Sequence, residues 1–160
     1  MSFAHLHVHT QYSILDGQSK IGDLIDTAVA NGQPALAITD HGNMFGVKEF
    51  LDTVAKKEAP LKPIVGCEMY VAGNSRFDRK GREDQSSYHL IMLAKNMDGY
   101  HNLIKLSSKA YIEGFYYKPR IDHELIEQYH EGIVCCSACL GGEVPQAIME
   151  GKPEEAERIA

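Results

Sequence analysis

From one end of the chain to the other, short apolar runs with strand character alternate with amphipathic stretches of helical period, and this alternation restricts the fold most. Residues 3–8 read as a short strand. Residues 21–30 read as a helix with Ile21, Leu24, Ile25, Ala28 and Val29 on one face, stopped by Asn31-Gly32. Residues 35–39 form a continuous apolar run ending in a polar cluster, the pattern of a buried parallel strand, and a helix is expected over residues 44–58. Residues 63–71 predict the next strand, with Glu68 toward its far end. Residues 73–87 are polar, charged and glycine-containing, which predicts a surface loop or hairpin. A strand over 88–94, helices over 97–110 and 121–129, a strand over 132–136, and helices over 142–150 and from Pro153 onward complete the pattern. Repeated units of this kind predict an α/β fold, a parallel sheet covered by helices, either open or closed into a barrel.

A length of 160 residues allows one compact domain with a sizeable core. The sequence has neither GxGxxG after its first strand nor GxxxxGK[ST] anywhere, which disfavours dinucleotide-binding and P-loop chemistry. With 16 basic against 22 acidic side chains, the formal net charge is −6. Gripping a nucleic-acid backbone needs surplus Lys and Arg, so this segment is not expected to do so alone, though a nucleic-acid enzyme with its basic parts elsewhere stays open. No stretch has the length of apolar sequence a membrane span requires, and MSFAHLHVHT lacks signal-peptide character, so a cytosolic location without membrane contact is expected. The cysteines Cys67, Cys135, Cys136 and Cys139 do not resemble a disulfide framework; the Cys136-x-x-Cys139 pair has no second CxxC to complete a zinc knuckle, and a redox pair is the other option.

The strand ends carry the chemistry. In His5-Leu6-His7-Val8-His9, side chains two apart share a face, so His7 and His9 can offer two imidazoles to one ion. Asp40-His41 follows the second strand, Cys67-Glu68 the third; His89 lies in the fourth and Cys139 after a later one. Each piece alone is common on protein surfaces, but their recurrence at one sheet edge suggests more than one metal.

The segments HLHVHTQYSILDG, ALAITDHGNMFG, KPIVGCEMYV, YHLIMLAKN and CSACLGGEVPQ resemble, in order and spacing, the polymerase and histidinol phosphatase (PHP) domain family. GYHNLIKLSSKAYIEGFYYKPRID is similar to the branch found at the N-terminus of bacterial DNA polymerase III α subunits. The resemblance implies a distorted, TIM-like (β/α)7 barrel, here incomplete and cut before its last strands, because the family's later Asp-x-His motif has no counterpart. It further implies metal ligands at His7, His9, Asp16, His41, Glu68, His89 and Cys139, with Asp16, His41 and Glu68 central to catalysis and Asp40 supporting the ligands. Two to three divalent ions are expected, Zn2+ first, with Mn2+, Fe2+ or Mg2+ as alternatives. Arg120 is a candidate phosphate contact, with a loop-packing role as the competing expectation.

The activity implied is metal-dependent phosphoester hydrolysis, as 3′-5′ exonuclease proofreading on a DNA 3′ end, within a longer polymerase chain that also meets a proofreading exonuclease subunit and a sliding clamp. Two rivals stand beside it: a free-standing phosphatase acting on a small phosphomonoester, and a non-catalytic, metal-stapled scaffold.

Overall fold

A computed structural model describes residues 3–160, apart from the Glu83 side chain. Helix α1 spans Ile21–Ala30 and buries Ile21, Ile25 and Ala28, with Leu24 and Val29 packed beside them. Its end is a Schellman cap: Gly32, at φ 65°, donates to the Val29 carbonyl and Gln33 to that of Ala28. Strand β1 (Ala35–Ile38) then pairs in parallel with the first residues of β2 (Lys62–Ala72), from Ala35 opposite Lys62 to Ile38 opposite Val65. The crossover between them is α2 (Val47–Lys56), which buries Val47, Phe50 and Val54 against the α1 face. This is a βαβ unit, whose helix hides one face of a parallel strand pair.

After β2 the pattern changes. Residues 73–86 contain a single 3-10 turn at Glu83–Gln85, and β3 (Ser87–Ala94) runs back antiparallel to β2, with Ala72 opposite Ser87 and Gly66 opposite Leu93. The expected all-parallel sheet is therefore broken by one reversed strand. Two buried arginines fasten the excursion to the edge where β2 ends. Arg120 donates to the carbonyls of Arg76, Asp78 and Asp84, and Arg76 pairs with Asp122, Glu113 and Glu124. Held there, the chain re-enters the sheet from that end.

Helix α3 (Met97–Ile112) opens with the Asn96 side chain accepting from the Gly99 amide and buries Leu103, Leu106 and Ala110 against β2 and β3. The two-residue strand β4 (Arg120–Ile121) pairs in parallel with Tyr70 and Val71. The helix expected over 121–129 begins only at His123, as α4 (His123–Tyr129), because Asp122 caps it by accepting from the Leu125 amide. Strand β5 (Ile133–Cys136) pairs antiparallel with β3, so it again runs with β2; α5 (Glu143–Met149) and α6 (Pro153–Ile159) follow. The strand order is β1-β2-β3-β5, with β4 on the far end of β2. The result is a mixed α/β structure built on one five-stranded sheet.

The first expected strand is replaced by something looser. Residues 3–8 make one bridge, His5 to Leu36, and bend at Leu6 and His7. Val8 donates to the Thr39 hydroxyl instead of to a ladder carbonyl. Glu68 also differs from expectation: it sits in the middle of β2, not near its end.

Candidate metal centre

Glu68 is the centre of the site and is only 1% exposed. The Gly42 amide donates to its backbone carbonyl and its own amide to that of Asp40, so the loop after β1 is tied to the middle of β2. Four imidazoles from three places along the chain surround the carboxylate, His7 and His9 sharing the N-terminal segment. His7 Nε2 lies 2.6 Å from Oε2 and His9 Nε2 3.2 Å from the same oxygen, while His89 Nδ1 lies 2.7 Å and His41 Nδ1 3.3 Å from Oε1. The reversal of β3 brings His89 there, since the start of that strand meets the far half of β2, with His89 opposite Tyr70. Asp16 joins through His41, Nε2 to Oδ2 at 2.9 Å, and Cys139 through His89, Sγ to Nδ1 at 3.8 Å. The His9 and His41 rings stack with centroids 4.0 Å apart.

All seven positions expected to be ligands thus fall in one connected group. The tightest part is His7, His9 and Glu68, whose ligand atoms lie within 4.8 Å of one another. Two buried atoms in the group, Glu68 Oε1 and His41 Nδ1, face each other at 3.3 Å without hydrogen-bond geometry, although His89 Nδ1 stands 2.7 Å from the same oxygen. Buried polar atoms are normally satisfied, and a lone-pair-rich oxygen facing an imidazole nitrogen is what a cation would satisfy. The donor set of imidazole, carboxylate and thiol therefore fits the expected divalent ions.

The electrostatics follow from the crowding. Burial by itself would raise the Glu68 pKa, but hydrogen bonds from His9 and His7 and the nearness of His89 and His41 outweigh it and hold it at about 2. His9 is raised, chiefly by its bond to Glu68. His89 is lowered, chiefly by burial, and Asp16 is lowered by its bond to His41.

Asp40, 2% exposed, makes no hydrogen bond or ion pair with an imidazole among the described residues. It accepts from the Thr10 amide, the Thr10 hydroxyl and the Ser13 hydroxyl at 2.6, 2.8 and 2.7 Å. Because the Ser13 proton goes to Asp40, Ser13 Oγ is left to accept, from His9 Nδ1 at 3.1 Å and from the His41 amide at 3.2 Å. With a cation in place, neutral His9 would carry its proton on Nδ1 and leave its Nε2 lone pair for the ion; without one, Nε2–H donates to Glu68. Sequence spacing gave no signal for Thr10 or Ser13, whose hydroxyls read as ordinary loop polarity.

Arg120 is corrected. It is 1% exposed, and its guanidinium is spent on the carbonyls of Gly114, Asp84, Arg76 and Asp78. A side chain so placed cannot meet a substrate phosphate; the loop-packing role is the one observed. The remaining histidines stand apart: His5 packs on Phe3, His101 lies beside Tyr100, His123 pairs with Glu143, and His130 bonds the Glu127 carbonyl.

Fold and site together define a histidine- and carboxylate-lined α/β domain suited to divalent cations. The PHP domain profile matches residues 5–160, and the chain belongs to the PHP domain family. It is 55% identical over its whole length to DNA polymerase III subunit alpha of Treponema pallidum, covering 14% of that protein, and 50% identical over 96% of its length to that of Borreliella burgdorferi, covering 13%. The same subunit of Thermus aquaticus is 48% identical over 98% of this chain and 13% of its own. The chain thus spans about an eighth of the curated relatives it matches, within their N-terminal region. A solved structure from Bifidobacterium adolescentis, provisionally described as a metal-dependent phosphoesterase, aligns over 68% of this chain and 33% of its own at TM-score 0.48 and 20% identity. No helix among the described residues is long and apolar enough to cross a membrane.

Proposed function

We propose that the chain is the N-terminal part of a PHP domain in a bacterial DNA polymerase III α subunit, and that its Glu68-centred cluster binds two to three divalent ions and hydrolyses phosphoesters. The observation carrying this is the convergence of four imidazoles on one buried carboxylate, both of whose oxygens face imidazole nitrogens. His7, His9, His41, Glu68 and His89 would hold the ions, with Asp16 and Cys139 at the margin. Bound ions supply a hydroxide near neutral pH and neutralise the phosphoryl oxygens. The chain's own contribution is to fix donors in place: Asp40 through Ser13 sets the His9 tautomer, and Glu68 spans between imidazoles on both of its oxygens. Asp16, 60% exposed, stands at the open side, where a substrate oxygen would enter.

Within the replicative polymerase this activity would be 3′-5′ exonuclease proofreading at a DNA 3′ end, in the cytoplasm, with Zn2+ the first metal and with the rest of the α chain, a proofreading exonuclease subunit and a sliding clamp as partners. The close similarity to polymerase subunits many times longer favours this over a free-standing phosphatase. The scaffold alternative draws on one specific feature: the cluster links segments from His7 to Cys139, so bound ions would also staple the domain.

The test uses the full-length parent chain. Metal analysis and hydrolysis of single-stranded DNA 3′ ends and small phosphomonoesters are measured together. Metal bound with 3′ shortening of DNA is the expected result. Metal bound with neither substrate touched selects the scaffold.

A further inference from the structure

Two residues before Arg120, a second cation lies beside the cluster. Lys118 Nζ lies 4.3 Å above the centre of the Tyr70 ring, and Tyr70 is wedged beside the cluster, its ring centroid 6.2 Å from that of His41 and 5.4 Å from that of His89. Among the described residues, Lys118 has no carboxylate within 4 Å. It is a positive charge parked on an aromatic face at the rim of an anion-processing site, with no anion of its own.

The surrounding backbone is shaped to put it there. Tyr117 has φ 61°, a conformation that bulky side chains rarely adopt, and Tyr116 donates to the Lys118 carbonyl in a tight bridge across that residue. Backbone held in such a conformation persists where its surroundings require it, and it collects at ligand-binding sites. The next residue, Pro119, packs against Gly42, where a Cβ would come within 2.9 Å of its Cγ and of the Tyr70 ring, so the turn is seated on the loop that carries His41. Lys118 is thereby positioned from three directions: the turn at Tyr117, the Pro119 contact and the Tyr70 ring.

We propose that Lys118 is the substrate-phosphate cation of this site, swinging from the Tyr70 face to a non-bridging oxygen of the phosphoester. A lysine binds phosphate as a compact point charge with rotatable donors, which suits a group that must move a short way on substrate arrival. This rests on the phosphoesterase reading above.

The test compares wild type, Lys118→Met and Lys118→Arg in the metal-loaded full-length parent chain. Methionine keeps the packing on Tyr70 and removes the charge. Lys118→Met is expected to raise KM and the inhibition constant of inorganic phosphate about tenfold, with kcat, metal content and Tm unchanged, and Lys118→Arg to recover most of the loss. KM and inhibition constant equal to wild type, or metal loss in parallel with activity, would overturn the assignment. If wild type hydrolyses nothing, the phosphoesterase reading fails on its own. Calorimetric titration with inorganic phosphate then decides Lys118: weaker binding in Lys118→Met supports it, and equal or absent binding in both proteins overturns it.

Discussion

His7 Nε2 and Glu68 Oε2 lie 2.6 Å apart although 61 residues separate them in sequence. The contact joins the bent N-terminal segment to the middle of β2, and the same carboxylate reaches His41 and His89 with its other oxygen. One side chain therefore fixes the relative positions of four segments. Structure and chemistry meet at this glutamate.

Replacing Glu68 by Gln keeps the shape and removes the charge that four imidazoles share. The variant should lose metal and with it all metal-dependent hydrolysis. A chelator should remove from wild type the roughly 3 kcal/mol of stability that a ligand at a hundred times its Kd contributes, lowering its Tm, and leave the Tm of Glu68→Gln unmoved. Differential scanning calorimetry with and without chelator reads this directly; equal chelator shifts in both proteins would contradict it.

Ser13 transmits Asp40 to His9, so Ser13→Ala should free the His9 ring to turn and to exchange tautomers. Losses of this kind weaken metal binding by about 10- to 100-fold. Competition with a chelator of known affinity measures it. An unchanged metal Kd would show that the Ser13 contact does not orient the ligand.

Arg120→Met takes the guanidinium from four backbone carbonyls, of which that of Gly114 keeps the Arg120 amide as a donor. Each unsatisfied buried group costs on the order of 1–3 kcal/mol, so the variant should be strongly destabilised, while Arg120→Lys, lacking the fork of donors, should recover little. Denaturant unfolding gives the size of the effect. A variant with wild-type stability but weakened phosphate binding would restore the substrate role rejected above.

The metal-free protein should have its own pH signature. Glu68, lowered from 4.5 to about 2, contributes stability that is complete above about pH 4.5 and is lost as pH falls toward 2. His9, raised above 6.5, contributes stability that is complete below 6.5 and is lost as pH rises through its higher folded value. In chelator, the stability difference between wild type and Glu68→Gln should therefore be greatest between about pH 4.5 and 6.5 and shrink on both sides. A difference that kept growing above pH 7 would refute the pairing.

Much of this was legible in the sequence, for physical reasons. Helix α1 is local: an apolar face every third or fourth residue and an Asn-Gly stop suffice to place both of its ends. The residues that gather around Glu68 were expected partly from the His7-x-His9 spacing and as a full set only from the family resemblance, since Glu68 and His89 lie inside strands and not at their ends. The reversal of β3 was not expected, because the excursion before it is fastened by Arg76 and Arg120, residues that ordinarily lie on the surface and here are buried among carbonyls and carboxylates far away in sequence. Ser13 and Lys118 were missed for the same kind of reason. A serine becomes a relay only when Asp40 takes its proton, and a lysine faces the site only through the turn at Tyr117.

The central claim is that the Glu68 cluster is a metal centre. Anomalous X-ray scattering from crystals of the full-length parent, grown with saturating Zn2+ and collected above and below the metal edge, tests it most directly. The account predicts an anomalous peak within about 2.0–2.2 Å of a Glu68 oxygen and of the His7 and His9 imidazole nitrogens. A clean difference map at Glu68, with the metal absent or bound elsewhere, would contradict it.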